Sequence, residues 1–206
     1  MKNNRIWQTM TKSIAISLLA IAISLNAYGQ NSINGHECVD LGLSVLWATC
    51  NVGASNPSDN GSYFAWGETS TKSEYTKENS KTYNLKIGKI GGNASYDAAR
   101  VQWGYPWRLP TKAEMKELLN KCQWQWMTQD GKNGYKITGP NGNSIFLPAA
   151  GRWMGAHLVN EDNFSFYWSS NPDGKKHAKS IFCHGIYQYI NEWVRYDGCS
   201  IRPVAK

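Results

Sequence analysis

The sequence lacks the patterns that usually mark a catalytic or metal-binding protein. None of its histidines belongs to a Ser/His/Asp or Cys/His signature. No Cys-x-x-Cys pair occurs, so a structural zinc site is unsupported. The Glu-Pro-Asn and Trp-Asn-Asp motifs with which sugar-binding C-type lectins hold calcium are also missing. The sequence therefore predicts no catalytic residue, no metal and no other cofactor. The four histidines are His36, His157, His177 and His184.

The sequence also lacks a cluster of basic residues. It has 22 Lys and Arg against 15 Asp and Glu, but three of the basic residues fall in positions 1–29. The remaining 19 basic and 15 acidic residues give residues 30–206 a net charge of about +4, which is ordinary. We therefore expect no nucleic-acid partner.

The first residues have the pattern of a secretory signal. Lys2, Arg5 and Lys12 precede an apolar run at 13–25, which is too short for a comfortable membrane span. A small-x-small sequence, Ala27-Tyr28-Gly29, follows it. We predict a signal peptide over residues 1–29, a single domain over 30–206, and no membrane span after cleavage. The protein would then be periplasmic, secreted or at the cell surface, with an uncleaved anchor as the alternative.

The cysteines are odd in number and widely spaced. Export permits disulfides, but an odd count leaves at least one thiol free or paired between chains. Cys183 and Cys199 could pair if their segments form neighbouring strands; buried free thiols are the equal alternative. The five cysteines are Cys38, Cys50, Cys122, Cys183 and Cys199.

One loop-to-helix boundary organises the chain. Thr111 and Glu114 have the spacing of a capping box, and Met115, Leu118 and Cys122 follow at helical spacing. This amphipathic helix needs a surface to cover, and most other segments alternate like strands. Strands are expected near 45–50, 63–68, 123–127, 135–138, 144–148, 179–186, 187–196 and 199–204, with a short helix or turn at 97–102. Turns are expected at 130–131, 133–134, 139–142 and 171–174, and a long, mobile surface loop at 69–93.

Seven ordered motifs resemble one family. The chain resembles the Fibrobacter succinogenes major paralogous domain family, which is similar to C-type-lectin-like folds. Those folds include formylglycine-generating enzymes and retroelement-diversified variable proteins. The resemblance implies an α+β domain: C-type-lectin-like, with a twisted antiparallel sheet, one or two helices and long loops. Cys38 and Cys199 depart from the family pattern. The motifs are Val-Asp-Leu-Gly-Leu at 39–43, Leu-Trp-Ala-Thr-Cys-Asn-Val-Gly at 46–53, Phe-Ala-Trp-Gly-Glu-Thr at 64–69, Trp-Arg-Leu-Pro-Thr at 107–111, Asn-Ser-Ile-Phe-Leu-Pro-Ala-Ala-Gly at 143–151, Tyr-Trp-Ser-Ser at 167–170 and Gly-Cys-Ser-Ile-Arg-Pro-Val at 198–204.

The C-terminal third is rich in aromatic residues. In the diversified relatives such a segment presents a ligand-binding face, here roughly residues 153–196. Tyr187, Tyr189, Asn191 and Trp193 alternate, so they share one face of a strand. Tyr and Trp supply contact area at low entropic cost, which favours a binding surface for a glycan or a protein. Packing in the core or in an oligomer contact is the alternative. The predicted ligand-binding residues are Trp153, His157, Asn171, Asp173, Tyr187, Tyr189, Asn191, Trp193 and Tyr196.

Two other functions remain open from the sequence. One is a copper-dependent oxidase like the formylglycine-generating enzymes, although Cys183 and Cys199 do not reproduce the close cysteine spacing of those enzymes. The other is a structural surface subunit. Glu68 and Asp97 are expected to be structural hydrogen-bonding groups, and Arg108 and Arg202 to anchor loops through backbone carbonyls.

Overall fold

The computed structural model describes residues 31–206, which form an α+β fold of antiparallel sheets with two helices. The predicted signal peptide at 1–29 lies outside the described residues. No helix in the described part is long and apolar enough to cross a membrane. The helices are α1 (Ala98–Trp103) and α2 (Lys112–Lys121). The strands are β1 (Asn31–Ile33), β2 (His36–Val39), β3 (Leu46–Ala48), β4 (Gln123–Gln129), β5 (Lys132–Thr138), β6 (Ser144–Pro148), β7 (Arg152–Met154), β8 (His157–Val159), β9 (Phe164–Asp173), β10 (His177–His184), β11 (Tyr187–Val194) and β12 (Val204–Ala205).

The strands form four small sheets rather than the single twisted sheet that was expected. Their orders are β1-β2-β3-β12, β11-β10-β9, β4-β5-β6 and β7-β8. Isolated bridges such as Phe64–Cys199 and Tyr167–Ser200 connect the segments between them. The expected strand at 63–68 is reduced to the bridge at Phe64, because Gly67 adopts a left-handed φ of 75° that breaks an extended run. The α+β class is nevertheless confirmed.

Helix α2 begins where its sequence predicts. The Glu114 N–H donates to Thr111 Oγ1 over 3.2 Å, and the Thr111 N–H donates to Glu114 Oε2 over 2.7 Å, which completes the capping box. Met115 and Leu118 are buried in a hydrophobic cluster that includes Ile181 of β10. The helix therefore covers one face of the β9–β10–β11 sheet.

The opposite face of that sheet contacts a second cluster. Trp66, Trp107 and Trp168 are fully buried there, together with Phe166. Successive residues of β9 point to opposite faces, so Tyr167 joins the cluster under α2 while its neighbours join the second cluster. Trp107 and the aromatic residues of the Tyr-Trp-Ser-Ser motif therefore belong to the core.

The turns of the β-hairpins agree only in part with the sequence prediction. Asp130-Gly131 is the β4–β5 turn, as predicted, with positive φ at both residues. The turn predicted at Asn133-Gly134 is wrong, because both residues lie inside β5. A Cβ on Gly134 would approach Leu147 O to 2.5 Å, so this glycine serves a close backbone approach. Strand β9 continues through Asp173, so the turn lies at residues 174–176 rather than at the predicted 171–174.

The long polar segment at 69–93 has no strand of its own, as predicted, but it is anchored at several points. Tyr75, Thr82 and Ile90 are buried. Tyr75 forms an isolated bridge with Gly155, and the Ile90 N–H donates to Ser170 O over 3.0 Å. The segment is thus tied to the sheets rather than joined only at its ends.

Candidate functional site

Aromatic side chains lie side by side across β9, β10 and β11 on the face of this sheet that is turned away from α2. The strand register aligns Phe182 with Phe166 on one side and Tyr189 on the other. It likewise aligns His184 with Phe164 and Tyr187, so these side chains share one face. We call this surface the aromatic face; it consists of Phe164, Phe166, Phe182, His184, Tyr187, Tyr189 and Trp193.

Exposure of the aromatic face increases from β9 towards β11. Phe166 is buried, Phe182 is half-buried, and Tyr189 and Tyr187 are 46% and 63% exposed. The ring centroids of Phe166 and Phe182 lie 5.2 Å apart, and those of Phe182 and Tyr189 lie 5.3 Å apart. Ile186, at the tip of the β10–β11 hairpin, is 83% exposed. Tyr189 therefore packs against the aromatic layer, and Tyr187 lies opposite His184 on the same face.

A buried ion pair borders the aromatic face. Arg152 Nε lies 2.9 Å from Asp197 Oδ2, and the guanidinium lies over the rings of Trp193 (4.4 Å) and Phe166 (4.7 Å). The Trp193 indole N–H donates to the same Asp197 oxygen over 2.7 Å. Burial raises the pKa of the Asp197 carboxyl above its ordinary value, although Trp193 and Arg152 both favour the ionised form. The carboxylate thus fixes the orientation of both the indole and the guanidinium.

A cleft of about 300 Å³ opens beside this pair. Trp193 and Tyr196 provide aromatic walls, and Met154 contributes a thioether that is 44% exposed. Arg152 and Asp197 also line the cleft. The cleft adjoins the aromatic face because Trp193 belongs to both.

Five of the predicted site residues lie together. Tyr187, Tyr189, Asn191 and Trp193 occupy alternate positions of β11, as their spacing predicts. Tyr196 follows β11, lines the cleft and packs against Tyr83 with a centroid distance of 5.2 Å. These residues form one continuous surface from the hairpin tip to the cleft.

The other four predicted site residues have their own local contacts. Trp153 packs against Tyr63 and Tyr75 in a third hydrophobic cluster. Asn171 Oδ1 accepts the Lys112 N–H over 2.8 Å at the start of α2. Asp173 pairs with Lys179, and His157 is exposed on β8. A ligand contact at any of the four remains a prediction.

Sequence reasoning did not single out Phe164, Phe182, Arg152 or Asp197. The alternation of aromatic residues in β9 and at the end of β10 was a readable signal for the first two. The Arg152–Asp197 pair spans 45 positions and had no local signal. The isolated bridge between Trp153 and Gly198 brings the backbones of the two segments together.

The acids and arginines expected to be structural do have structural roles. Asp97 Oδ2 accepts the N–H groups of Gly92 (2.7 Å) and Leu109 (2.9 Å), and Asp97 also caps α1. Glu68 Oε1 accepts the Lys81 N–H over 2.9 Å. Arg202 donates through Nη1 to the carbonyls of residues 48 and 49. Arg108 departs from the expectation in part, since it pairs mainly with the Glu114 carboxylate.

The possible Cys183–Cys199 disulfide is not formed, and all five thiols are free. Cys183 lies in the cluster under α2, whereas Cys199 lies in the cluster on the other side of the sheet. Burial raises the pKa of both thiols well above the ordinary value, which opposes the thiolate that copper binding requires. This cysteine pair therefore does not fit a copper site. His184 is exposed and turned away from Cys183, as strand alternation predicts.

Comparisons with known proteins add no relative: no family model, curated protein or solved structure matches the chain.

Proposed function

We propose that the protein is an exported binding module that attaches to a glycan or a protein partner through the aromatic face. The observation that carries this proposal is the exposure of Tyr187 and Tyr189 on the same face as a packed layer of aromatic rings. Exposed large aromatic side chains grouped on one surface are typical of interaction sites.

The packed layer gives the face a physical advantage in binding. Contact between the Phe182 and Tyr189 rings restricts the tyrosine before any ligand arrives. A side chain that is already ordered loses less conformational entropy on binding. Each tyrosine also offers a hydroxyl at the edge of an apolar ring, which suits ligands with mixed apolar and polar surfaces.

The proposed fold is C-type-lectin-like, of the kind found in the Fibrobacter succinogenes major paralogous domain family. The seven ordered motifs support it, as does the burial of Trp107 and Trp168 in those motifs. Export is proposed from the pattern of residues 1–29 alone.

A capture experiment with matched variants tests the face. The full chain is immobilised and exposed to arrayed glycans and to purified surface proteins. The double variant Tyr187→Ala/Tyr189→Ala is compared with the control Leu85→Ala/Tyr105→Ala, which removes two exposed large residues outside the face. Circular dichroism and a urea midpoint check the folding of each variant.

We expect the parent and the control to capture a ligand and the double variant to lose at least about tenfold in affinity, as for truncation of an interface anchor. Equal capture by the double variant would place binding elsewhere. Regular polymerisation of the chain without any ligand would favour the structural subunit instead.

A further inference from the structure

Two buried polar groups in the cleft beside Trp193 each leave one atom without a partner. Arg152 uses Nε on Asp197 and Nη2 on the sulfur of Met154, but its Nη1 has no hydrogen bond within residues 31–206. Asp197 receives both of its donors on Oδ2, which leaves Oδ1 free within the same residues. The two side chains are only 11% and 3% exposed. Both residues line the cleft. The cleft therefore offers one strong donor and one strong acceptor.

The walls of the cleft suit a flat ligand with apolar faces. Trp193 and Tyr196 contribute aromatic surface, and the Trp193 indole is held by its bond to Asp197. A volume of about 300 Å³ lies at the lower end of the range for small-molecule sites. Space of this size suits one or two sugar-sized rings rather than a folded protein surface.

The charges in the cleft favour a neutral ligand. Arg152 and Asp197 neutralise each other at 2.9 Å, whereas Glu192 at the rim shares Lys179 with Asp173, at 3.0 and 3.1 Å. A formal charge on the ligand would thus find no unpaired counter-charge in the Arg152–Asp197 pair inside the cleft. A hydroxyl can both donate and accept, so hydroxyl groups on one ring can satisfy Arg152 Nη1 and Asp197 Oδ1 together.

We infer that this cleft binds a neutral saccharide, with two hydroxyls of one ring bonded to Arg152 Nη1 and Asp197 Oδ1 and the ring against Trp193. This inference rests on the proposed function, because the cleft is continuous with the aromatic face. It makes the cleft the subsite for one sugar unit and the aromatic face the surface for the rest of the glycan.

The first test uses defined saccharides as probes. Methyl glycosides of neutral hexoses and N-acetylhexosamines are titrated against the full chain, with saturation-transfer NMR and calorimetry as readouts. We expect at least one to bind with saturation of its ring C–H protons. Its deoxy analogues that lack either bonded hydroxyl should bind about tenfold more weakly or worse, since each leaves a buried polar atom unpaired.

The second test fills the cleft at Met154 while the Arg152 and Asp197 side chains and both tyrosines stay in the sequence. Met154→Trp places a bulky ring in the cleft at a position that is 44% exposed, and Met154→Leu is the matched control of similar volume. The glycoside should bind Met154→Trp at least about tenfold more weakly than Met154→Leu. Both variants remove the sulfur that accepts from Arg152 Nη2, so the difference between them isolates the filling of the cleft. Tyr187→Ala/Tyr189→Ala should keep glycoside binding, because these side chains lie outside the cleft.

The outcomes separate the cleft from the aromatic face. If no glycoside binds, or if Met154→Trp binds it like Met154→Leu, the inference is overturned, while loss of glycan capture by Tyr187→Ala/Tyr189→Ala still supports the proposed function. Binding of neutral peptides but no glycoside, blocked by Met154→Trp, overturns the ligand class. Glycan capture that survives the tyrosine changes but not Met154→Trp overturns the aromatic face and supports the cleft.

Discussion

At the scale of single residues, a buried arginine connects distant parts of the chain. Arg195 is fully buried, and its guanidinium lies 4.3 Å from the ring centroid of Trp66. Burial lowers its pKa. Within residues 31–206 no carboxylate pairs with the guanidinium, and its hydrogen bonds go to backbone carbonyls. Four of them accept its N–H groups, those of Thr82 (3.0 Å), Leu85 (3.1 Å), Gly174 (2.8 Å) and His177 (3.1 Å). One side chain thus ties the polar segment at 69–93 to the β9–β10 turn.

We therefore predict that Arg195→Met strongly destabilises the protein. Methionine keeps the length of the side chain but leaves four carbonyls without this donor, and a loss of more than about 3 kcal/mol is expected. Arg195→Lys should retain only part of the stability that Arg195→Met loses, because an ammonium cannot reproduce the planar arrangement of donors in a guanidinium. Urea unfolding measures both, with the exposed Lys86→Met as a control that should change stability by less than about 0.5 kcal/mol. A change of similar size in Arg195→Met and the control would contradict this role.

A second residue-scale prediction concerns acid stability. Hydrogen bonds from Lys121 and Ser44 lower the pKa of Glu117 from 4.5 to about 2. A depressed carboxyl pKa stabilises the fold above the unfolded value, and that contribution is lost as pH falls from about 4.5 to about 2. In urea titrations across this range, Glu117→Gln should show a shallower loss of stability than the parent. If the stability of the parent and of Glu117→Gln fell in parallel with pH, Glu117 would make no contribution to the pH dependence of stability.

At the scale of elements, helix α2 was predictable because all its signals are local. The cap, the first-turn acid and the apolar stripe fall within residues 111–122. The aromatic face was only half predictable. Alternation within β11 placed Tyr187, Tyr189 and Trp193 together, but which residues of β9 and β10 lie beside them depends on strand register. Register is set by contacts between strands, and the sequence pattern of a single strand carries no information about those contacts.

The capping box of α2 can be tested separately from its packing. Thr111→Ala removes the acceptor for the Glu114 N–H and should cost about 1 kcal/mol, while Thr111→Ser should be close to neutral. Equilibrium urea unfolding gives both values. If Thr111→Ala proved as stable as Thr111→Ser, the hydroxyl would contribute nothing measurable, and the Arg108–Glu114 ion pair would have to hold this end of the helix.

At the scale of the whole molecule, the sequence predicts the class of fold better than the way its parts are joined. Strand alternation and one strong helix signal indicate an α+β protein. The division into four sheets and the anchoring of segment 69–93 depend on contacts such as Arg195 to Thr82, 113 positions apart. The Arg152–Asp197 pair that shapes the cleft also joins residues that are distant in sequence, 45 positions apart. The Arg152–Asp197 pair, which supplies the polar groups of the cleft, is therefore the part of the site that the sequence predicts least well.

The whole molecule also holds its shape without a disulfide, which differential alkylation can test. Cys38, Cys183 and Cys199 are buried, and burial raises the pKa of each and also that of Cys122. Cys50 instead lines an open cleft. Because alkylation requires an accessible thiolate, iodoacetamide at pH 8 should label Cys50 first and the three buried thiols only in denaturant.

The labelling pattern should be the same with and without a reductant, as read by intact mass and peptide mapping. Cys50→Ser should abolish the labelling that occurs first and leave the labelling of the other cysteines unchanged. Thiols that become labelled only after reduction would reveal a disulfide. A link between Cys183 and Cys199 would then require a rearrangement of β10 against the segment at 198–204, because the two side chains now lie in separate clusters. A protein that keeps five reduced thiols through this test would owe its stability to packing and to buried groups such as Arg195.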